Sequence, residues 1–143
     1  MKWYYRFAGI VNPAFLLVIR LTTLMTRARL RVLVYNPEGK ILLVKSVFGM
    51  KEWELPGGAA GFRESDKAAA ARELYEETAI EVETTHLRKR ISRQNPFPMI
   101  IFETQLNQDK QAQIIRPFEM RQVGWFLPNA LPEDAAEYVR QIV

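Results

Sequence analysis

The stretch GGAAGFRESDKAAAARELYEETAI, residues 57–80, decides how the rest of this 143-residue chain is interpreted. Its second half predicts a helix over residues 65–78. Ser65 can accept a hydrogen bond as the N-cap, and Asp66 carries a favourable charge for the first turn. Four consecutive alanines then supply high helix propensity. We therefore expect a loop containing glycines that leads directly into a well-capped helix.

Three glutamates on this helix, Glu73, Glu76 and Glu77, lie at positions i, i+3 and i+4 and share one face. Like charges at this spacing repel one another, so an ordinary solvated helix gains little from them. A hard divalent cation that prefers oxygen ligands would explain the cluster. Gly57 and Gly58 lack a Cβ, so the backbone of the preceding loop can approach closely.

Arg72, beside these glutamates, can pair with Glu64 and tie the loop to the helix. Such a group of residues predicts a carboxylate–Mg²⁺ site, for which a pyrophosphate is the natural substrate.

The stretch resembles the Nudix box, G-x5-E-x7-R-E-U-x-E-E-x-G-U, in which U is a bulky aliphatic residue. The motif has nine fixed positions and eight are met. The matching residues are Gly58, Glu64, Arg72, Glu73, Leu74, Glu76, Glu77 and Ile80. The hairpin ahead of the box, the WELPGG segment, the VGWF strand and the final helix also look like this family. The resemblance covers about residues 27–143 and implies an α/β/α sandwich with a mixed sheet.

The resemblance implies a role for each matching residue. Glu73 and Glu77 look like the principal metal ligands, and Glu76 like a further ligand or the base that activates water. The carbonyl of Gly57 is expected to complete the metal's inner shell. Some relatives place an extra acid ahead of the strand bearing the Trp, and Glu119 is the candidate here, although a solvated loop acid is an equal alternative.

Three further positions follow from the same resemblance. Glu64 and Arg72 would hold the loop in shape as part of the catalytic machinery, and Gly58 would let the backbone approach the substrate. Ala79 departs from the motif, which has glycine there. Alanine with a positive φ is strained by about 1 kcal/mol, so either the helix ends differently or the strain is tolerated.

The remaining elements follow from alternation, turn residues and propensity. Residues 107–118 are predicted to be a loop. Strands are predicted at 29–35, 40–47, 53–55, 81–93, 99–106 and 120–127, and a closing helix at 132–142. Hairpins outnumber crossovers, which favours an α/β sandwich over a doubly wound parallel fold.

Composition excludes several other classes of site. The chain has no cysteine, which rules out disulfides, thiolate zinc sites and cysteine nucleophiles and fits a reducing, cytoplasmic location. Its single histidine excludes multi-histidine metal sites. The apolar share of 48% and the charged share of 25% are typical of one globular domain. The available chemistry therefore depends on carboxylates.

The first 26 residues are treated as a separate segment from the domain over 27–143. Residues 1–37 hold six basic residues and no acid, and the rest of the chain has a net charge of −2. A short apolar helix is predicted over 13–25, with Asn12 as N-cap and Pro13 as first residue. It could pack on its own domain, form a homodimer, or lie peripherally on the anionic inner face of a membrane. Sequence-specific nucleic-acid binding is not expected.

The expected reaction is Mg²⁺-dependent hydrolysis of a nucleoside diphosphate linked to another group X, with Mn²⁺ as a substitute cation. X could be a sugar, a second nucleotide or further phosphate, and the residues do not distinguish these. The alternative is a non-catalytic Nudix-fold sensor or regulatory module that binds a nucleotide derivative without cleaving it.

Overall fold

The computed structural model of the chain describes residues 28–48, 52–93 and 98–143. The predicted helix over 13–25 lies outside these residues. The described residues form two α-helices, a short 3-10 helix at Thr84–His86 and six strands. The strands are β1 (Arg29–Tyr35), β2 (Ile41–Ser46), β3 (Trp53–Glu54), β4 (Arg88–Arg93), β5 (Met99–Gln105) and β6 (Met120–Phe126), and the helices are α1 (Asp66–Thr78) and α2 (Glu137–Ile142).

The strands form one mixed sheet in the order β3-β2-β1-β5-β4, and β6 pairs with β2. β1 and β5 are parallel, with Arg29 opposite Met99, and the other pairs are antiparallel. β1 and β2 share a single register pair, Tyr35 with Ile41, at their hairpin. The loop after β3 lies beside the start of β1 instead, because the Leu30 N–H donates to the Gly58 carbonyl at 2.8 Å. This loop is thereby held against the middle of the sheet.

Each face of the sheet packs against one helix, which confirms the expected sandwich of helix, mixed sheet and helix. Successive side chains of β1 point to opposite faces of the sheet. Leu30, Val32 and Val34 belong to the core shared with α1. Leu33 belongs to the core shared with α2. β1 is buried on both sides, which explains its nearly continuous apolar sequence.

Most predicted boundaries agree with the structure to within one residue, but two do not. The strand predicted over 81–93 begins only at Arg88, since residues 84–86 form the 3-10 helix with a Leu87 N–H to Thr84 carbonyl bond of 3.3 Å. The helix predicted over 132–142 begins only at Glu137. Ahead of it the chain is extended, because Trp53 exchanges backbone hydrogen bonds with residues 134 and 136, both 2.9 Å long.

Helix α1 ends as a helix with a C-terminal glycine would end. Ala79 adopts the left-handed conformation with φ 61°, and its N–H donates to the Tyr75 carbonyl at 2.8 Å. Of the two predicted outcomes, the helix thus tolerates the strain of a left-handed alanine at position 79. Within the described ranges, none of the helices has the length and apolar character that crossing a membrane requires.

Candidate functional site

Helix α1 presents its glutamates to the glycine loop because its opposite face is anchored in the core. Ser65 Oγ accepts the Ala68 N–H at 3.2 Å, which sets the start of the helix. Leu74 is fully buried against the sheet. Glu77 lies one turn after Glu73 and is only 5% exposed. A carboxyl group is thus held at the inner edge of the helix, where water has little access.

The two consecutive glycines of the loop make room for two of these glutamates. The Gly57 N–H donates to Glu77 Oε2 at 2.8 Å. A Cβ at Gly57 would lie 2.0 Å from the Leu30 carbonyl oxygen, and its φ of 150° also disfavours a side chain. A Cβ at Gly58 would lie 2.6 Å from the carboxyl carbon of Glu73. At Gly57 a side chain would clash with backbone, whereas at Gly58 it would displace the carboxyl group of Glu73.

Burial raises the pKa of Glu77 to about 7. The hydrogen bond from Gly57 and the positive charge of Arg31 oppose this rise in pKa, and the charges of Glu73 and Glu119 add to it. A carboxylate that is costly to ionise when buried gains stability from a nearby cation. Glu77 is therefore the acid that most needs a positive partner.

Arg72 ties the loop to the helix as predicted. Its Nε donates to Glu64 Oε1 at 2.8 Å, and its Nη2 donates to the Ala59 carbonyl at 3.3 Å. Its Nη1 donates to Glu73 Oε1 and Glu76 Oε2, both at 2.9 Å. The bond from Arg72 holds the pKa of Glu64 below its usual range. One guanidinium group thus organises the loop and two of the helix glutamates.

Arg116, in the loop before β6, is a residue that sequence reasoning missed. Its Nη2 lies 2.6 Å from Glu76 Oε2, and its Nη1 lies 3.3 Å from Glu119 Oε2. It therefore joins the predicted loop acid Glu119 to the helix. No local pattern marks Arg116, because its partner Glu76 lies 40 positions away in the sequence.

Two of the three helix glutamates, Glu73 and Glu76, form ion pairs with arginines, and Glu77 accepts the Gly57 N–H. Among the residues that the structure describes, no three acidic or histidine side chains lie close enough together to hold a metal ion. Glu76 is held between two guanidinium groups, Arg72 and Arg116. The prediction that three glutamates converge on one cation stays a prediction.

A cavity of about 380 Å³ opens beside Glu77 and Gly57. Ser46 adds a hydroxyl group to its wall. The charged lining residues are Arg29, Arg31, Glu52, Glu54 and Glu77, and the apolar ones are Val44, Phe48 and Met120. Its size is in the range of small-ligand sites. Both signs of charge beside an exposed aromatic ring suit a ligand with an anionic part and a flat part.

Comparison with models of known protein families shows which family the chain belongs to. The NUDIX domain model matches residues 25–143. The chain belongs to the Nudix family. The match includes the whole loop and helix α1, so the resemblance inferred from the motif is confirmed.

Named relatives of this Nudix chain include the RNA pyrophosphohydrolase of Bartonella henselae, 38% identical over 44% of this chain and 41% of the relative. The RNA pyrophosphohydrolase of Shewanella sp. strain W3-18-1 is 31% identical over 55% of this chain and 52% of the relative. The chain thus spans about half the length of the curated relatives that it matches.

Solved structures show the same Nudix fold. A MutT Nudix hydrolase from Burkholderia pseudomallei superposes with a TM-score of 0.61, covering 80% of this chain and 93% of that one at 23% identity. An Ap4A hydrolase of C. elegans gives a TM-score of 0.62 over 79% and 93% of the two chains at 18% identity. At these identities the likeness establishes the architecture alone.

Two further residues of this Nudix site, Arg31 and Glu54, were missed by sequence reasoning. Arg31 Nη2 donates to Glu54 Oε2 at 2.8 Å at the wall of the cavity. One signal was available, because Arg31 interrupts the apolar run of β1 with a charge. A charged residue in a strand buried on both faces needs a partner, and Glu54 supplies it.

Proposed function

We propose that this Nudix chain hydrolyses a phosphoanhydride bond in a nucleoside diphosphate linked to another group X. The observation that carries the proposal is the buried carboxyl group of Glu77, held by the Gly57 N–H beside a cavity of nucleotide size. A carboxyl group with a raised pKa in a cleft is typical of a functional site. The family and the names of the relatives support the same class of reaction.

The donor atoms fit a hard divalent cation such as Mg²⁺, with Mn²⁺ as a substitute. Carboxylate and carbonyl oxygens are the ligands that these ions prefer. Glu73 packs directly on Gly58, next to the Gly57 carbonyl and Glu77. We infer that Glu73, Glu77 and the Gly57 carbonyl would hold the ion, with Glu76 and Glu119 as further candidate ligands. When bound, such an ion supplies charge neutralisation and a more acidic water.

The protein's own residues would then position the reacting groups. The Gly57 N–H keeps the Glu77 carboxyl group in one orientation. Arg72 and Glu64 keep the loop closed on α1, so their effect on catalysis is exerted through the loop. Glu76 could also act as the base, once it is released from its two arginines.

For the substrate, we propose a nucleotide with an extended phosphate chain. The Bartonella and Shewanella relatives are named RNA pyrophosphohydrolases, which makes 5′-triphosphorylated RNA one member of the test panel. Arg29 would meet phosphate oxygens, and Phe48 would stack on a base.

A non-catalytic nucleotide sensor is the second candidate, and one observation favours it. Glu73 and Glu76 already have guanidinium partners, which compensate their charge without a metal. In a sensor, these ion pairs would persist when the ligand binds.

One experiment separates the two candidates. The purified chain is incubated with Mg²⁺ or Mn²⁺ and a panel of nucleotide sugars, dinucleotides, nucleoside triphosphates and 5′-triphosphorylated RNA, and the products are identified. Release of a nucleoside monophosphate, of phosphate or of pyrophosphate supports the hydrolase. Saturable binding of at least one panel member, with no product formed from any of them, supports the sensor. The exposed acid variant Glu81→Gln should behave like the wild type, since Glu81 lies outside the site.

We also infer that residues 27–143 form the hydrolase domain and that 1–26 are a separate basic and apolar segment. Dimerisation, contact with anionic membranes and a cytoplasmic location stay predictions. Sedimentation with vesicles of anionic or neutral lipid, with and without residues 1–26, tests the membrane contact. Equal sedimentation of the two forms would contradict it.

A further inference from the structure

Arg31 is a buried charge that belongs to none of the motif positions. It lies in β1, between two fully buried apolar neighbours, and is 8% exposed. Its Nη2 donates to Glu54 Oε2 at 2.8 Å. Within the described part of the chain, its Nε is buried without a hydrogen-bond partner. An arginine that leaves one N–H unsatisfied is an expensive way to fill a strand, because an apolar side chain would pack there at no such cost.

The contacts of Arg31 converge on the segment that leads into the glycine loop. Its Nη1 lies 3.2 Å from the Leu55 carbonyl oxygen and 3.4 Å from the Gly57 carbonyl oxygen. Counting the Glu54 carboxylate, the Arg31 guanidinium group thus binds acceptors on three of the four residues 54–57. The planar fork of arginine suits this geometry, whereas lysine offers a single point charge.

The same segment is also held by its backbone, but on other atoms. The Val32 N–H donates to the Pro56 carbonyl at 2.9 Å. From the opposite side, the Leu55 N–H donates to the Tyr138 hydroxyl of α2 at 3.0 Å. The Leu55 and Gly57 carbonyls are the groups left for Arg31. The Gly57 N–H shares its peptide group with the Pro56 carbonyl, and the carbonyls that Arg31 binds belong to the peptide groups on either side of it. With both neighbouring peptides fixed, the Gly57 N–H stays directed toward Glu77.

We propose that Arg31 is a positioning residue for the reaction. It fixes the carbonyl groups of Leu55 and Gly57 so that the Gly57 N–H meets the Glu77 carboxyl group. The inference rests on the proposed hydrolase function for its kinetic consequence only. The orientation of the Gly57 peptide can be measured without any substrate.

The test compares Arg31→Lys with the wild-type chain. Its matched control is Arg90→Lys, since Arg90 also binds a carboxylate, a hydroxyl and a carbonyl, but on β4 away from the loop. Hydrogen exchange of the Gly57 amide is followed by NMR, and kcat and KM are measured on the substrate that the panel identifies. We expect Gly57 exchange to accelerate at least about tenfold in Arg31→Lys, kcat to fall about tenfold, and KM to change less than about threefold. Arg90→Lys should change none of these.

Unchanged Gly57 exchange with unchanged kcat in a folded Arg31→Lys protein would overturn the proposal. So would a lowered melting temperature accompanied by wild-type kcat, because that is the signature of a purely structural residue. If Arg31→Lys does not fold, Glu54→Gln decides, since it weakens the same clamp and should accelerate Gly57 exchange to a smaller extent. If the wild type hydrolyses nothing, the proposed function fails, and the Gly57 exchange still decides the positioning role.

Discussion

Glu77 is the residue on which the proposed hydrolysis most depends. It is buried, and its pKa is raised to about 7 by that burial. Its single described hydrogen bond comes from the Gly57 backbone, so replacing the acid with its amide keeps an acceptor oxygen in place. The substitution Glu77→Gln therefore removes the charge and little else.

We expect Glu77→Gln to lower turnover by at least about 100-fold while the fold persists. Turnover is measured under substrate saturation with Mg²⁺, and folding is checked by circular dichroism and the melting temperature. The control is Glu81→Gln, which should keep full turnover. Wild-type-like activity in Glu77→Gln would show that this face of α1 is not the catalytic site.

Ala79 offers a prediction on stability alone. Its φ of 61° costs an L-residue about 1 kcal/mol, and glycine removes that cost but adds entropy to the unfolded chain. We expect Ala79→Gly to raise the free energy of unfolding by about 0.5 kcal/mol, measured by urea denaturation. Ala71→Gly, inside the same helix, should lower it by about 1 kcal/mol. A loss of stability in both variants would show that the strain at Ala79 is negligible.

At the scale of the element, α1 depends on its N-cap. Ser65 Oγ satisfies the Ala68 N–H at 3.2 Å, at the point where the glycine loop becomes helix. We expect Ser65→Ala to cost about 1 kcal/mol in urea denaturation. Ser65→Asn should recover most of it, because asparagine caps equally well. Equal stability of the three proteins would show that another group satisfies this end of the helix.

The elements that were predicted well are those whose signals are local. The bounds of β1 were predicted to the residue from alternation, and those of α1 from its cap and its alanines. The elements predicted poorly have distant partners. Residues 134–136 are extended because they pair with Trp53 across the fold, although Glu133 and Asp134 resemble the start of a helix.

At the scale of the whole molecule, Glu77 links stability to pH. Its pKa rises from the ordinary 4.5 to about 7, so between these pH values the folded protein keeps a proton that the unfolded chain has lost. The free energy of unfolding should therefore fall as the pH rises through this window, by up to about 3 kcal/mol, and level off above it. Arg31 on β1, Glu73 on α1 and Glu119 in the loop are the charges that act on this group.

The measurement is the difference in urea stability between the wild type and Glu77→Gln at pH 5 and pH 8, without divalent ions. This difference isolates Glu77 from the other titrating groups. The free energy of unfolding of Glu77→Gln, relative to that of the wild type, should be higher at pH 8 than at pH 5. Added Mg²⁺ should then stabilise the wild type more at pH 8 than at pH 5, because the ion competes with a proton for the carboxylate. Stability differences that do not depend on pH would contradict the raised pKa.

Local sequence patterns were enough to identify the family, the fold class and the residues of the loop and helix. A motif with fixed spacing, a capped helix and an alternating strand are encoded by neighbouring residues, so they can be recognised without a structure. The ion pair of Arg72 and Glu64 could be predicted for the same reason, because the two residues are close together in the sequence.

The surroundings of those residues became known from the three-dimensional fold. It placed Arg116 between Glu76 and Glu119, and it set Arg31 beneath the glycine loop. The Arg116–Glu76 and Arg31–Leu55 contacts join parts of the chain that lie tens of residues apart. Their geometry depends on how the sheet and the two helices pack, and no local pattern records it.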